Sequence, residues 1–281
     1  MKLWAAWLQG RQNAPPFVRQ NLDLWERLNP EHTLTVLEQK EADAILAELG
    51  VSQPRITPQV TTDLARSYLL AKHGGAWVDS TLLPTVPISR WLTPELRAQG
   101  FFAFRSLGDP NLVLQNWFLF ADPGNPIIVA WLDLFAGYFR TLRRFPTLKR
   151  ALWHGAIGDY MRYRKAAGTL DTLWHVDPAR GRDCVFYPYA VHNYNFAYLL
   201  RTRPDLRAIW DRVPNRIAQL PEQIGQVRRD PETTEQDFLA ALPELLAVSP
   251  VHKLNHHDQM FEKVAQFVAS GLHGAVGGKA G

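Results

Sequence analysis

The segment from Thr57 to Pro84, TPQVTTDLARSYLLAKHGGAWVDSTLLP, changes its hydrophobic period midway, and this constrains the fold more than any total does. Thr57 offers a side-chain cap, and Pro58 suits a first helical position that needs no N–H. Val60, Leu64, Ala65, Tyr68 and Leu69 recur at helical spacing. Gly74-Gly75 stops the helix, because glycine takes a left-handed cap cheaply. Ala76-Trp77-Val78 is then apolar in strand fashion and runs into Asp79, Ser80 and Thr81. Open α/β sheets bind ligands beyond the ends of their strands. Asp63 and Arg66, three apart, share a helix face. Asp63, Arg66 and Asp79 are therefore expected to converge beside one strand end. The bland alternative is an amphipathic helix with surface charges and a strand-end aspartate in a turn.

The flanking chain repeats the alternation. Lys2 to Leu8 reads as an opening strand that runs into Gln9-Gly10, where a ligand can approach the backbone closely. Pro15 to Leu28 is an amphipathic helix, Thr33 to Leu37 a second strand, and Lys40 to Leu49 a helix capped by Gly50. The order β-α-β-α-α-β, with its crossovers, implies a parallel sheet and a nucleotide-binding half. Neither G-x-G-x-x-G nor G-x-x-x-x-G-K-[ST] occurs, so a dinucleotide fold and a P-loop are unsupported. Phe101 to Arg105 and Val113 to Ala121 read as strands. Gln115-Asn116-Trp117 lies inside the second, where polar side chains are costly unless partnered or lining a site. Asn125 to Phe145 and Leu148 to Ala167 read as helices, Val185 to Tyr189 as a strand, and Thr233 to Leu246 as a helix broken at Pro243. Tyr187, Tyr189, His192, Tyr194, Asn195 and Tyr198 form an aromatic-polar mixture that suits stacking on sugars, or equally the mouth of any core. The expected organisation is one domain over 1–270, with a helical insertion about 125–167 and a flexible Gly-rich tail over 271–281.

D-L-A-R, more helix, G-G, then an apolar strand ending in Asp resembles the DXD-containing glycosyltransferases, and within them the capsular polysaccharide synthesis protein family. That resemblance implies a GT-A (Rossmann-like) nucleotide-sugar-binding α/β fold with an added helical subdomain. It gives Asp63 and Arg66 the donor sugar, and Asp79 the sugar-nucleotide with a divalent metal, Mn or Mg. Thr81 stands where a D-x-D motif has its second Asp, a departure from the pattern. The opening Trp4 to Gly10 resembles the strand that lies beside the nucleotide in these enzymes, which makes Trp7, Gln9 and Gly10 donor-binding candidates. Asn116 is a further catalytic candidate beside Asp79, and Trp117 an acceptor-binding one. The late His252-Lys253-Leu254 resembles a family element that faces the diphosphate, with His252 also a metal candidate and Lys253 a donor-binding one.

Composition narrows the partners. With 281 residues, 46% hydrophobic and 10 Trp, the chain can bury a sizeable core. The single cysteine, Cys184, excludes an internal disulfide or a Cys-rich zinc module. His252 and His256 are four apart as in zinc helices, yet Lys253 stands where H-E-x-x-H needs glutamate. A net charge of +4 does not suggest a nucleic-acid partner. Arg140, Arg143, Arg144, Lys149, Arg150, Arg162, Arg164 and Lys165 face only Asp159 in acid, and they suit an anionic membrane leaflet or a solvated helical face. No signal peptide and no membrane span are expected, so the chain is placed in the cytoplasm, free or peripheral to the membrane's inner face.

The reading that follows is a metal-assisted, retaining hexosyltransferase of cell-surface polysaccharide synthesis. It takes a nucleoside-diphosphate sugar and a glycan or lipid-linked glycan acceptor. The alternatives are a non-catalytic sugar-nucleotide or glycan-binding module, or a basic peripheral membrane-binding protein.

Overall fold

This computed structural model describes residues 1–52, 56–143 and 155–277, with side chains to 271. Strand β1 (Lys2–Ala6) lies between β2 (Thr33–Leu37) and β3 (Gly75–Val78), parallel to both. Helices α1 (Pro16–Leu28), α2 (Gln39–Glu48) and α3 (Pro58–His73) connect them. Thr57 caps α3 as expected, its hydroxyl accepting from the Val60 N–H at 3.3 Å. Gly75 is demanded twice over: its φ is +103°, and a Cβ there would lie 2.3 Å from the Lys2 carbonyl oxygen on β1. The sheet order is β2-β1-β3-β6-β5, completed by β5 (Phe101–Arg105) and β6 (Leu114–Ala121). Parallel pairing holds only for the first three strands. Strand β6 runs antiparallel to both β3 and β5, because the short connection over 106–113 is a hairpin rather than a helical crossover.

A second, two-stranded sheet joins β4 (Leu82–Pro84) to β7 (Val251–Lys253), Leu82 standing opposite Lys253. It ties a late segment to the turn that follows Asp79. On the other side of the sheet, α4 (Pro94–Arg97) precedes β5, and α5 (Pro126–Phe139) buries Ile127, Ile128, Trp131, Phe135 and Phe139. These residues belong to the same core as Trp77, Leu64 and Phe118, and α5 lies on α3. Further helices are α6 (Ile157–Ala166), α7 (Val191–Thr202), α8 (Pro204–Arg212), α9 (Gln219–Arg229), α10 (Glu235–Ala247) and α11 (Met260–Gly277).

Several expected boundaries shift. Helix α5 ends at Phe139 rather than Phe145, and Arg140 closes it by donating its N–H to the Ala136 and Gly137 carbonyls. The expected helix start at Leu148 lies outside the described residues, and α6 begins at Ile157. Val185 to Tyr189 forms no strand. Phe186 makes a lone bridge, and Phe186 and Cys184 pack with Ala166 and Trp174 in a small separate cluster. Pro188 has no N–H to extend a ladder. Helix α10 runs through Pro243, whose missing bond would have gone to Leu239 on an exposed turn that solvent reaches. Residues 271–277 continue α11, and 278–281 lie outside the described residues.

Candidate functional site at the strand ends

Chain order reverses between β1 and β3: β1 leads outward to β2 on one side and the chain returns to β3 on the other. A crevice opens at such a switch point, beyond the carboxyl ends of the strands. Trp4 pairs with Trp77, so Trp7 to Gly10 and Asp79 to Thr81 both leave their strands at that edge. The incoming end of β6 joins them, since the Asp79 N–H donates to the Trp117 carbonyl at 2.9 Å.

Arg66 stands at the centre of the charge network. Its Nη1 donates to the Asn116 carbonyl at 2.5 Å and lies 3.1 Å from Asp63 Oδ1. Its Nη2 donates to Asp79 Oδ1 at 2.9 Å, and the guanidinium sits 4.8 Å from the Trp77 ring centre. Asp63 is 6% exposed and Arg66 4%. Burial pushes the Asp63 carboxyl up to about 7; Arg66 pulls against that and the charge of Asp79 adds to it. Asp79 keeps 23% of its side-chain surface accessible. Burial alone would raise its pKa, but Lys253, Arg66 and the Trp77 indole N–H (2.9 Å) outweigh it and hold it below the ordinary carboxylate range. Lys253 Nζ donates to Asp79 Oδ2 and to Thr81 Oγ1, both at 2.7 Å.

Asn116 joins this centre to a buried histidine. Its amide nitrogen donates to Asp63 Oδ1 and to His192 Nδ1, each at 3.1 Å. Nδ1 therefore accepts, and Nε2 carries the proton toward Ser67 Oγ at 2.9 Å. Burial first, then Arg66, keeps His192 neutral far below its usual range, and it stacks on Trp131 at 3.9 Å. Both amide protons of Asn116, a half-buried residue, are thus spent on protein partners.

The expected trio of Asp63, Arg66 and Asp79 does converge. Asp63 Oδ1 and both Arg66 Nη atoms are engaged with protein, while Arg66 Nε is buried without a hydrogen-bond partner. Gly10 closes the turn after β1 at φ +89°, and Gln9 is exposed beside it. Trp7 lies edge-on to His256 at 5.4 Å, with its buried indole N–H unpartnered. Trp117, the expected acceptor-binding residue, is 3% exposed and donates to Glu222 at 3.3 Å.

His252 lies apart from Asp79. Neighbouring strand residues alternate faces, and Lys253 takes the face toward Asp79. His252 is fully buried, with Nε2 against the Leu246 carbonyl at 3.2 Å. The structure thus does not bring His252 and Asp79, the two expected metal ligands, onto one face. Both Asp79 oxygens are already engaged, Thr81 Oγ1 receives the lysine, and no cluster of three His, Cys, Asp or Glu side chains suited to a metal exists among the described residues. This donor set does not fit a divalent ion.

Of three further contributors, Glu222 escaped the sequence reading, and His192 and Tyr189 stood there only as members of the aromatic-polar mixture. Glu222 on α9 is half-buried; desolvation raises its pKa against the Trp117 hydrogen bond, Arg229 and Lys253. His192 supports Asn116 from beneath. Tyr189 has an exposed ring, and its phenol is raised by desolvation and then by the charges of Asp63 and Asp79. Each arrives from more than a hundred residues away or from an irregular segment, where no periodicity signals it. The basic run is dispersed as well. Arg143 is buried and donates to the Gly181 and Cys184 carbonyls, so it faces no membrane, and Arg144, Lys149 and Arg150 lie outside the described residues. No helix of the described residues is long and apolar enough to cross a membrane.

Residues 1–148 match the family described as capsular polysaccharide synthesis protein. An O-glycosyltransferase, braB, of Annulohypoxylon truncatum is 30% identical over 154 residues, 47% of this chain and 36% of that protein. A glycosyltransferase, afumC, of Aspergillus fumigatus is 27% identical over 173 residues, 55% of this chain and 41% of its own. The matches thus span about two fifths or less of those relatives. The PaToxG glycosyltransferase structure covers 96% of this chain and 86% of its own at 13% identity and a TM-score of 0.36, too loose a likeness to argue the fold.

Proposed function

The chain belongs to the capsular polysaccharide synthesis protein family, and from that premise we propose that it is a glycosyltransferase of the GT-A type. In this reading it moves a hexosyl group from a nucleoside-diphosphate sugar to a glycan or lipid-linked glycan hydroxyl. The observation that carries the proposal is the partly exposed Asp79–Lys253 pair at the crevice between β1 and β3, tied through Arg66 to Asp63 and the Asn116 carbonyl. The bond between the anomeric carbon and the β-phosphate oxygen breaks, and its electron pair stays on the diphosphate. The acceptor oxygen bonds to that carbon on the same face, which retains configuration, and its proton passes to the departing phosphate oxygen. Lys253 meets the charge that develops on the leaving group. Asn116 accepts from a sugar hydroxyl, and Trp7 with Gly10 flanks the nucleoside. Asp63, Arg66 and His192 keep these groups in register.

The work is assigned to the cytoplasmic side of a membrane, where a lipid-linked acceptor is presented. Exposed Arg162, Arg164 and Lys165 on α6, beside Met161 (56% exposed), support docking to an anionic leaflet. A panel of nucleoside-diphosphate sugars tests the main reading by thermal shift and by release of nucleoside diphosphate. A raised melting temperature with at least one donor, and slow donor hydrolysis, are expected. Binding without any turnover, with or without oligosaccharide acceptors, favours a non-catalytic sugar-nucleotide module. No binding to a folded chain overturns the reading.

A further inference from the structure

We propose that Lys253 is the built-in cation of this centre, so that the diphosphate of the donor is held and its departure assisted without a divalent metal. This rests on the nucleotide-sugar reading above. A metal at such a strand end needs several oxygen ligands, and they must be free to turn toward it. Here Asp79 offers the sole carboxylate at the crevice edge among the described residues of that turn. Its Oδ1 is taken by Arg66 and Trp77, and its Oδ2 by Lys253. Position 81, where a second acid would complete a metal pair, is Thr81, and its hydroxyl accepts from the same ammonium at 2.7 Å. Lys253 thus occupies the space between positions 79 and 81, where an ion bridging them would sit.

The lysine is also poised to act on a ligand. An ammonium has three protons. Asp79 and Thr81 take two, and the third is uncommitted on a side chain that keeps 26% of its surface accessible. The carboxylate and the hydroxyl orient the ammonium, as a metal's protein ligands would orient the ion. Pairing of β7 with β4 fixes the height of Lys253 at the crevice, and α9 backs it: a Cβ at Gly225 would lie 3.6 Å from the Lys253 carbonyl oxygen. Two cations, Arg66 and Lys253, already pair with Asp79 and Asp63, so a doubly charged ion would have to displace one of them from Asp79.

Calorimetric titration of the full chain with UDP and GDP, once in EDTA and once in manganese, tests the inference, together with manganese EPR. Binding of one nucleoside diphosphate with similar affinity in both media is expected, with no stoichiometric manganese bound to the protein alone. Lys253→Met should weaken that binding about tenfold or more, and Lys253→Arg should restore most of it, which separates charge from folding. Lys253→Ala with Thr81→Asp should gain a manganese site visible by EPR. Binding that needs manganese in the wild type overturns the lysine assignment while leaving the nucleotide-sugar reading intact. Unchanged affinity in folded Lys253→Met overturns it too. Absence of binding in every medium removes the nucleotide-sugar reading, and this inference falls with it.

Discussion

Asp63 and Arg66 carry their charges at 6% and 4% exposure, while Arg164 and Lys165 on α6 carry theirs in water. Both groups looked alike as polar residues on helices. In the first, each charge is tied to a named partner: Arg66 to Asp63, Asp79 and the Asn116 carbonyl, and Asp79 to Lys253 and Trp77. In the second, the described residues include no ion pair for Arg164 or Lys165. Burial makes partners obligatory, because an unpaired buried charge costs several kcal/mol, and obligatory partners fix geometry. Solvent makes no such demand. Arg143 shows that the division runs within one segment: it sits in the basic run, yet it is buried and bonded to backbone carbonyls.

The contrast predicts effects that fall steeply from one region to the other. Arg66→Ala leaves buried Asp63 without its cation and Asp79 with Lys253 alone, so it should cost about 3–5 kcal/mol in urea unfolding. A loss under about 1 kcal/mol would break the comparison at its strongest point. Asp79→Asn keeps the shape but loses the negative charge that orients Lys253. Donor turnover should drop on the order of a hundredfold, about 2.7 kcal/mol, in a variant with native circular dichroism. Turnover near wild type would move the chemistry elsewhere.

Buried titrating groups give an intermediate effect through pH. Burial holds His175 and His252 down to about 4, against hydrogen bonds that raise them, so both are neutral when folded and charge more readily when unfolded. Their stabilisation is present above about pH 6.5 and is lost as pH falls toward 4, roughly 2 kcal/mol each by pH 5. Asp63, raised to about 7, acts in the opposite sense. It binds its proton more tightly when folded, so its stabilisation is present below about pH 4 and is lost as pH rises to 7, a gain of roughly 2 kcal/mol on going from pH 7 to 5. His192 adds to the histidine side. Unfolding free energy should therefore be lower at pH 5 than at pH 7 by at least about 2 kcal/mol. A flat profile would mean that the histidines are already charged in the fold.

The smallest effect belongs to the solvated face. Arg164→Glu with Lys165→Glu should change stability by under about 0.5 kcal/mol. It should nonetheless weaken cosedimentation with anionic vesicles, since each basic residue near a leaflet contributes about 1 kcal/mol. A large stability loss would show that this face is packed rather than solvated. No vesicle binding by the wild type at low salt would leave it simply hydrated and favour a soluble acceptor.

Local order was legible in the residues themselves. Thr57, Pro58 and Gly74-Gly75 bound a helix because caps and left-handed turns are set within a few residues. The i, i+3 spacing that puts Asp63 beside Arg66, and the apolar run that ends at Asp79, follow from helix and strand periods alone. Those periods could not say which polar residues would be buried. Periodicity marks Asp63 and Arg66 only as off the apolar stripe, and His192, Asn116, Asp79 and Trp77, closing over them, turn them inward. Nor could they say that β6 reverses direction, or that Arg143 leaves the basic face. The residues of α3, β3 and the turn to Thr81 by themselves determined a strand-end carboxylate with a threonine two places on. Only the pairing of β4 with β7 decided that Lys253, 174 residues away, would sit between them while His252 turned to the core. A strand's two faces are equivalent until a neighbour covers one, so the sequence carries the alternation and the tertiary packing chooses which side meets the crevice.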